Sequence, residues 1–299
     1  MEVGGTFLFA RLSKTTLIRA LVVICALLAC ACDPTRHGAE SSSTTREITD
    51  DAGRRVSLPA RVDRVVSLAP NLTEIVFAVG AGDRLVGNTT YCDYPAEAKT
   101  IAKVGDSMQP SLERIIALRP QVVLISTASQ LEVFTRQLQD RNIAVFVTDP
   151  HDLEGIFRSI EQVGQILGQT EQATQLVKSL RERVTAVEQA VAQAKPVRVF
   201  YQVSGEPLYA AGRDSYVSDL IRRAGGSSVT ADVPGAWPKY SNESALAARP
   251  EAIILPTGGS MGSGNSTLAE ALNQSPAVLH NRVYKLNGDH LVRPGPRAV

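Results

Sequence analysis

One pattern occurs twice in this chain and constrains its architecture more than any other feature. Ser111 to Ile125 (SLERIIALRPQVVLI) and Ser241 to Leu255 (SNESALAARPEAIIL) share Ser-x-Glu-x-x-x-Ala-x-Arg-Pro followed by an apolar run. The copies start 130 residues apart, the separation expected if each belongs to its own domain. Each reads as a short helix leading into a strand. The serine is placed to accept an unbonded N–H of the first turn, and the glutamate sits at the positive end of the helix dipole. Two readings of Glu113 and Glu243 stand side by side. They stabilise two helices locally, or they present matched acidic points to a two-fold symmetric partner.

The segments around the two copies alternate in period. REITDDAGRRVSLP reads as a hairpin turning at Asp51-Ala52-Gly53. Strand-like RVVSLA, RLVGNT, QVVLIS and AVFVT are interleaved with helix-like LTEIVFAVGA, SLERIIAL and LEVFTRQLQDRN. The alternation restarts after Pro196 with VRVFYQV, SYVSDLIRRAGG, ESALAARP, EAIILPT, LAEALNQ and RVYKLN. Such a sequence predicts an α/β fold of two Rossmann-like lobes with mostly parallel sheets. Between them, Ala173, Leu176, Val177, Leu180, Val184, Val187 and Val191 keep a 3.6-residue period. Thr170 is expected to cap this helix and Pro196 to stop it. At about 1.5 Å per residue it is about 36 Å long. It either bridges the lobes or packs on one of them. The expected organisation is a leader at 1–29, a flexible tether at 30–45, a first lobe at 46–168, the long helix at 169–195 and a second lobe at 196–299.

At the N-terminus, Arg11, Lys14 and Arg19 precede the apolar run LVVICALLA, the pattern of an export signal too short to span a bilayer comfortably. The run ends Leu27-Leu28-Ala29-Cys30, similar to a bacterial lipoprotein lipobox, which makes Cys30 the expected acylation site. Cys32 is a weaker competitor, and an ordinary cleavage site is the alternative. The polar stretch DPTRHGAESSSTT suits a tether.

Composition removes several function classes. Of 299 residues, 44% are apolar, enough for full-sized cores, and the formal net charge is +1 with basic residues scattered, unlike a nucleic-acid footprint. Only Cys92 of the four cysteines lies in the body, so no internal disulfide framework is available. The four histidines are dispersed and no Cys-x-x-Cys occurs, leaving no metal site of ordinary ligand spacing. A hydrolase reading rests on Ser204-Gly205 with His280 or His290. No Gly-x-Ser-x-Gly elbow accompanies them, and Gly258 to Gly264 lacks the lysine of a phosphate loop. The chain is therefore expected to be no enzyme, with no catalytic residues and no cofactor of its own.

Six segments in order resemble a known family: VVSLAPNLTEIVFAVGAGDRLVG, TYCDYPAEAKTIAKVGD, SLERIIALRPQVVLI, the single long helix, AWPKYSNE and NGDHLVRPGPR. Together they are similar to the helical-backbone class of substrate-binding proteins of ABC importers, its cobalamin-binding members in particular. The resemblance covers nearly everything from Val56 onward. It implies two lobes joined by one rigid helix and a ligand cleft between them. It implies a monomer, exported and lipid-anchored, that carries cobalamin or a related corrinoid to a permease dimer with its cytoplasmic ATPase. Haem and ferric-siderophore binders share the skeleton. Docking on the permease falls to Glu113 and Glu243.

Carried over position by position, the resemblance places Tyr91, Tyr209, Trp237, Asp289, His290, Leu291, Val292 and Arg293 at the ligand. Trp237 and Tyr91 would offer flat faces to a macrocycle. Asp289 would accept from a corrin amide and Arg293 donate to one. Alternatively, Asp289 and Arg293 pair with each other on the surface, and Tyr91 and Tyr94 are ordinary packing residues. Two tryptophans of the family's pocket fall on Ser107 and Ser126, which removes about 0.5–1.5 kcal/mol of stacking apiece. The chain also stops at Val299 where the family continues into a closing helix, so the second lobe is expected to lack that helix and to leave an apolar face open.

Overall fold

The hairpin forms where the alternation places it. β1 (Thr45–Thr49) pairs antiparallel with β2 (Arg55–Pro59), and Gly53 takes the left-handed φ of 73° that the turn requires. The computed structural model describes Met1 and residues 45–126, 132–258 and 267–299. The leader, Cys30, Cys32 and nearly all of the tether lie outside the described residues.

The first sheet contains β3 (Val65–Ser67), β4 (Leu85–Asn88), β5 (Val122–Ser126) and β6 (Ala144–Thr148). Their order is β4-β3-β5-β6, all parallel. These strands are nearly continuous apolar runs because both faces are covered. On one face α1 (Pro70–Ala78) and α4 (Leu153–Ile166) pack over Val65, Val122, Leu124 and Phe146. On the other, α2 (Leu112–Ala117) and α3 (Glu132–Gln139) cover Val66, Val123, Ile125 and Val145. The hairpin turn closes the free edge of β6. Asp51 N–H donates to Val147 O at 3.1 Å, and the Asp50 carboxylate accepts from Val147 N–H at 3.4 Å.

The second sheet is mixed. β7 (Val197–Gly205), β10 (Ala252–Thr257) and β11 (Val283–Asn287) run parallel, and β9 (Gly226–Ser228) pairs parallel with the start of β7. β8 (Leu208–Ala210) folds back antiparallel on the end of β7. The helices here are α6 (Tyr216–Arg223), α7 (Asn242–Ala247), α8 (Pro276–Leu279) and α9 (Gly288–Val292). LAEALNQ, expected to be a helix, forms only a 3-10 turn at Glu270–Leu272. Ser275 instead accepts the N–H of Val278 and starts α8, and Pro276 has no N–H with which to continue an earlier helix. At the β11 edge, Tyr284 and Leu286 share one exposed face of the strand.

Between the sheets runs α5 (Thr170–Val191), 22 residues, or about 33 Å. It buries Ala173, Val177, Leu180 and Val184, one stripe of its surface. Thr170 does not cap it. The capping position is Gln169, without a side-chain bond, because Gly168 at φ 64° ends α4 and Gln169 leads directly into the next helix. The helix also ends short of Pro196, at Val191. Its start lies along α4, where a Cβ on Gly164 would fall 2.3 Å from the Ala173 Cβ. Its end meets the second lobe, where a Cβ on Gly225 would fall 2.9 Å from the Val191 Cβ. The helix therefore touches both lobes. One apolar cluster follows it from Phe146 and Ile160 through Val177 and Leu180 to Tyr201 and Tyr216.

Candidate ligand-binding site

In the first sheet the chain crosses from β3 to β4 on one side and reaches β5 on the other. Such a reversal opens a crevice at the carboxyl ends of the strands. The residues that follow those ends line a cleft of about 630 Å³, within the range of small-molecule sites. They are Leu68 and Ala69 after β3, Ser126 ending β5, and Asp149 and His151 after β6. The opposite wall comes from the second lobe: Asp214, Ser215 and Tyr216 at the start of α6, then Trp237, Val292 and Arg293. A shallower hollow of about 460 Å³ runs along α5 but gathers residues from α4 and α5 alone.

Trp237 is 38% exposed and stands edge-on to Tyr216, with centroids 6.1 Å apart at 85°, and tilted to Tyr201 at 6.5 Å. Burial pushes both phenols upward, so each stays a protonated donor at neutral pH. Tyr216 Oη donates to Leu291 O at 2.6 Å. These two tyrosines make a rigid seat for the indole.

Arg293 also lines the cleft, yet its side chain is 1% exposed. Its Nη1 donates to Glu74 Oε1 at 2.9 Å and to Asp93 Oδ1 at 2.8 Å. Its Nη2 lies 3.0 Å from Asp289 Oδ1 and donates to Tyr91 O at 3.3 Å. Burial lowers the guanidinium pKa, but Asp93, Glu74 and Asp289 more than offset this and hold it above its ordinary value. Arg297 donates to both oxygens of Glu74 and lies 4.0 Å over the Tyr94 ring. The Asp289–Arg293 pair therefore exists, but in the interior rather than on the surface. It fastens the segment after β11 to α1 of the first lobe.

Of the residues expected at the ligand, Trp237, Val292 and Arg293 line the cleft together. Tyr91 supplies its carbonyl to Arg293, Leu291 its carbonyl to Tyr216, and Asp289 is turned onto Arg293. Tyr209 lies on β8, and His290 is exposed on α9. Ser107 and Ser126, where the resembled pocket has tryptophans, do line the cleft. Sequence reasoning passed over Asp149, His151, Asp214 and Tyr216. Their signal was position: Asp149-Pro150-His151 directly follows the run AVFVT, at the strand end where α/β folds place ligands.

His151 joins the lobes. Its Nδ1 is 3.0 Å from Asp214 O and its Nε2 3.2 Å from Asp149 Oδ2. Both partners can only accept, so both ring nitrogens donate only in the imidazolium form. The bond to Asp214, outweighing partial burial and aided by Asp149, raises the pKa above 6.5. A raised value means that the clasp contributes fully below the unfolded value and is lost as pH rises through the folded one. An NMR titration of the His151 ring should give a midpoint above 6.5; a midpoint at or below it contradicts this contact.

The two echoed helices prove alike in detail. Ser111 accepts from Arg114 N–H at 3.3 Å and Ser241 from Ser244 N–H at 3.0 Å. Arg119 and Arg249 both adopt left-handed φ, 46° and 43°. Each following strand begins with a matched pair, Arg64 N–H to Gln121 Oε1 and Arg198 N–H to Glu251 Oε2, both at 3.0 Å. Glu113 and Glu243 are exposed in the first turns.

Two α/β lobes, a helix touching both and a cleft lined from both define a ligand-capturing binding protein. The chain belongs to the periplasmic binding protein family, which it matches over residues 65–289. The vitamin B12-binding protein of Vibrio parahaemolyticus is 32% identical over 238 residues, 80% of this chain and 86% of that one. YvrC of Bacillus subtilis, named as an uncharacterised ABC transporter substrate-binding lipoprotein, is 31% identical and spans 84% of this chain and 81% of its own. Among solved structures, the periplasmic haem-binding protein RhuT of Roseiflexus sp. RS-1 superimposes with a TM-score of 0.69 at 27% identity, over 79% of this chain and 94% of that one. The protein is thus the periplasmic-type binding component of an ABC importer, working with a permease and its ATPase, and not an enzyme.

Proposed function

We propose that the protein captures cobalamin or a related corrinoid in the cleft and delivers it to the permease. The observation that carries this reading is the 32% identity to a vitamin B12-binding protein across 80% of the chain. The cleft supports it with an indole face, Trp237, seated on Tyr216 and flanked by Val292 and Arg293. In this reading Tyr91, Tyr209, Asp289, His290 and Leu291 contact the ligand as the lobes close or hold the residues that do. Residues 46–168 and 196–299 act as the two jaws, and 169–195 limits how far they open. Glu113 and Glu243 dock on equivalent basic sockets of the permease dimer, and Cys30 carries the lipid anchor of a monomer.

Haem is the second reading, favoured by the likeness to a haem-binding protein at TM-score 0.69. The absorbance spectrum of protein purified from its native host separates the two, since corrins and haem absorb differently. Calorimetry with cyanocobalamin tests the corrinoid directly. A corrin spectrum and saturable heat are expected; a Soret band with no heat from cyanocobalamin transfers the assignment to haem.

A further inference from the structure

Each echoed helix ends in an arginine held against its backbone preference, Arg119 at φ 46° and Arg249 at φ 43°. The left-handed position after a helix suits glycine or asparagine, and a following proline pushes its predecessor towards extended backbone. Pro120 and Pro250 follow here. The other two non-glycine residues with positive φ, among the described residues, are asparagines, Asn142 and Asn281. What the two arginines offer at this position is therefore the side chain. Both are exposed, and neither side chain forms an ion pair or a hydrogen bond among the described residues. A second exposed arginine stands beside each. Arg64 donates from Nε to Leu118 O at 3.1 Å, and Arg198 donates from Nη2 to Ala248 O. Leu118 and Ala248 are the matched C-terminal caps of α2 and α7. Of the nearby carboxylates, Asp63 pairs with Arg61 at 2.7 Å. Glu251 accepts from Arg198 N–H at 3.0 Å and offsets part of the second lobe's charge without an ion pair to either arginine.

The two arginine pairs also share a side of the molecule. α2 packs through Ile115 with Val66 and Val123, and α7 through Ala245 with Phe200 and Ile253, whereas the α5 stripe packs with Val65, Val122, Val199 and Tyr201. Successive strand residues point to opposite faces, so both helices lie on the sheet faces turned away from the long helix. Each has six residues, about 9 Å of length, with a glutamate in its first turn and arginines at its end. We propose that Arg64 with Arg119, and Arg198 with Arg249, form a second docking contact on each lobe, each pair seating a carboxylate of one permease subunit. The proposal rests on the docking reading of Glu113 and Glu243 and extends it. Guanidinium groups hold carboxylates through parallel N–H donors. One pair per lobe, at the same place, suits a two-fold protein partner; lipid phosphates impose no such pairing. Each half of the matching permease surface then carries a basic group and, about 9 Å away, an acidic one.

Arg119→Gly combined with Arg249→Gly tests the contact, read as binding to the cognate permease–ATPase complex in nanodiscs of zwitterionic lipid. Glycine suits the left-handed backbone, so the melting temperature should move by no more than about 4 °C. Permease binding is expected to weaken about tenfold or more, and Arg119→Glu with Arg249→Glu to weaken it further. Both variants should bind cyanocobalamin as the unaltered protein does, since neither arginine lines the cleft. Unchanged permease binding by both arginine variants, beside a loss in Glu113→Lys with Glu243→Lys, overturns the arginine contact and leaves the docking reading standing. Unchanged binding by all three removes the docking reading and the arginine contact together. A loss that appears only when the nanodiscs contain anionic lipid assigns the arginines to the membrane surface and overturns the carboxylate partner.

Discussion

Arg293→Met lowers the free energy of unfolding by about 3–5 kcal/mol at neutral pH, measured by urea titration. The size follows from what the guanidinium holds. Glu74 is buried, with a side chain 2% exposed, and Asp289 is nearly so. Without Arg293, Glu74 keeps only Arg297, while Asp93 and Asp289 lose the shared cation between them. An uncompensated buried charge costs far more than the intact pair contributes. Adding Asp289→Asn should recover part of the loss, because it removes a largely buried carboxylate that has lost Arg293 while leaving the Glu74–Arg297 pair intact. A loss under about 1 kcal/mol would place the cluster in the class of solvated surface pairs and contradict its burial. The cluster joins α1 of the first lobe to the segment after β11, so the same variant should also loosen the cleft.

Reversing both docking charges, Glu113→Lys with Glu243→Lys, is expected to weaken binding to the permease by about 100-fold or more while leaving ligand affinity unchanged. Both carboxylates are exposed, and neither appears among the residues lining the cleft. The serine caps remain, so each helix loses only its dipole contribution, about 0.3–1 kcal/mol. Binding to permease in detergent or nanodiscs, paired with a thermal melt, separates the two roles. Unchanged permease binding with a lower melting temperature would return both glutamates to being local stabilisers.

Much of this was legible in the residues. The apolar runs VVS, VVLIS and AVFVT read as strands because they are short and rich in β-branched residues, and the structure shows why they do not alternate: both of their faces are buried. The echo of Ser111 and Ser241 gave the same cap and the same left-handed arginine twice. Weak local signals misled. Thr170 suits a cap, yet the Gly168 turn puts Gln169 in that position. LAEALNQ suits a helix, yet Ser275 and Pro276 interrupt it within one turn.

By itself the sequence determined what depends on neighbours along the chain: two lobes of α/β alternation, their repeat, the long helix and an aromatic loop at Trp237. Only the tertiary structure decided what depends on residues distant in the chain. Arg293 meets Glu74 across 219 positions and His151 meets Asp214 across 63. Periodicity reports which face of an element is buried, but not which element covers it. The destination of Arg293 was therefore hidden until the sheets, the bridging helix and the last segment closed around it.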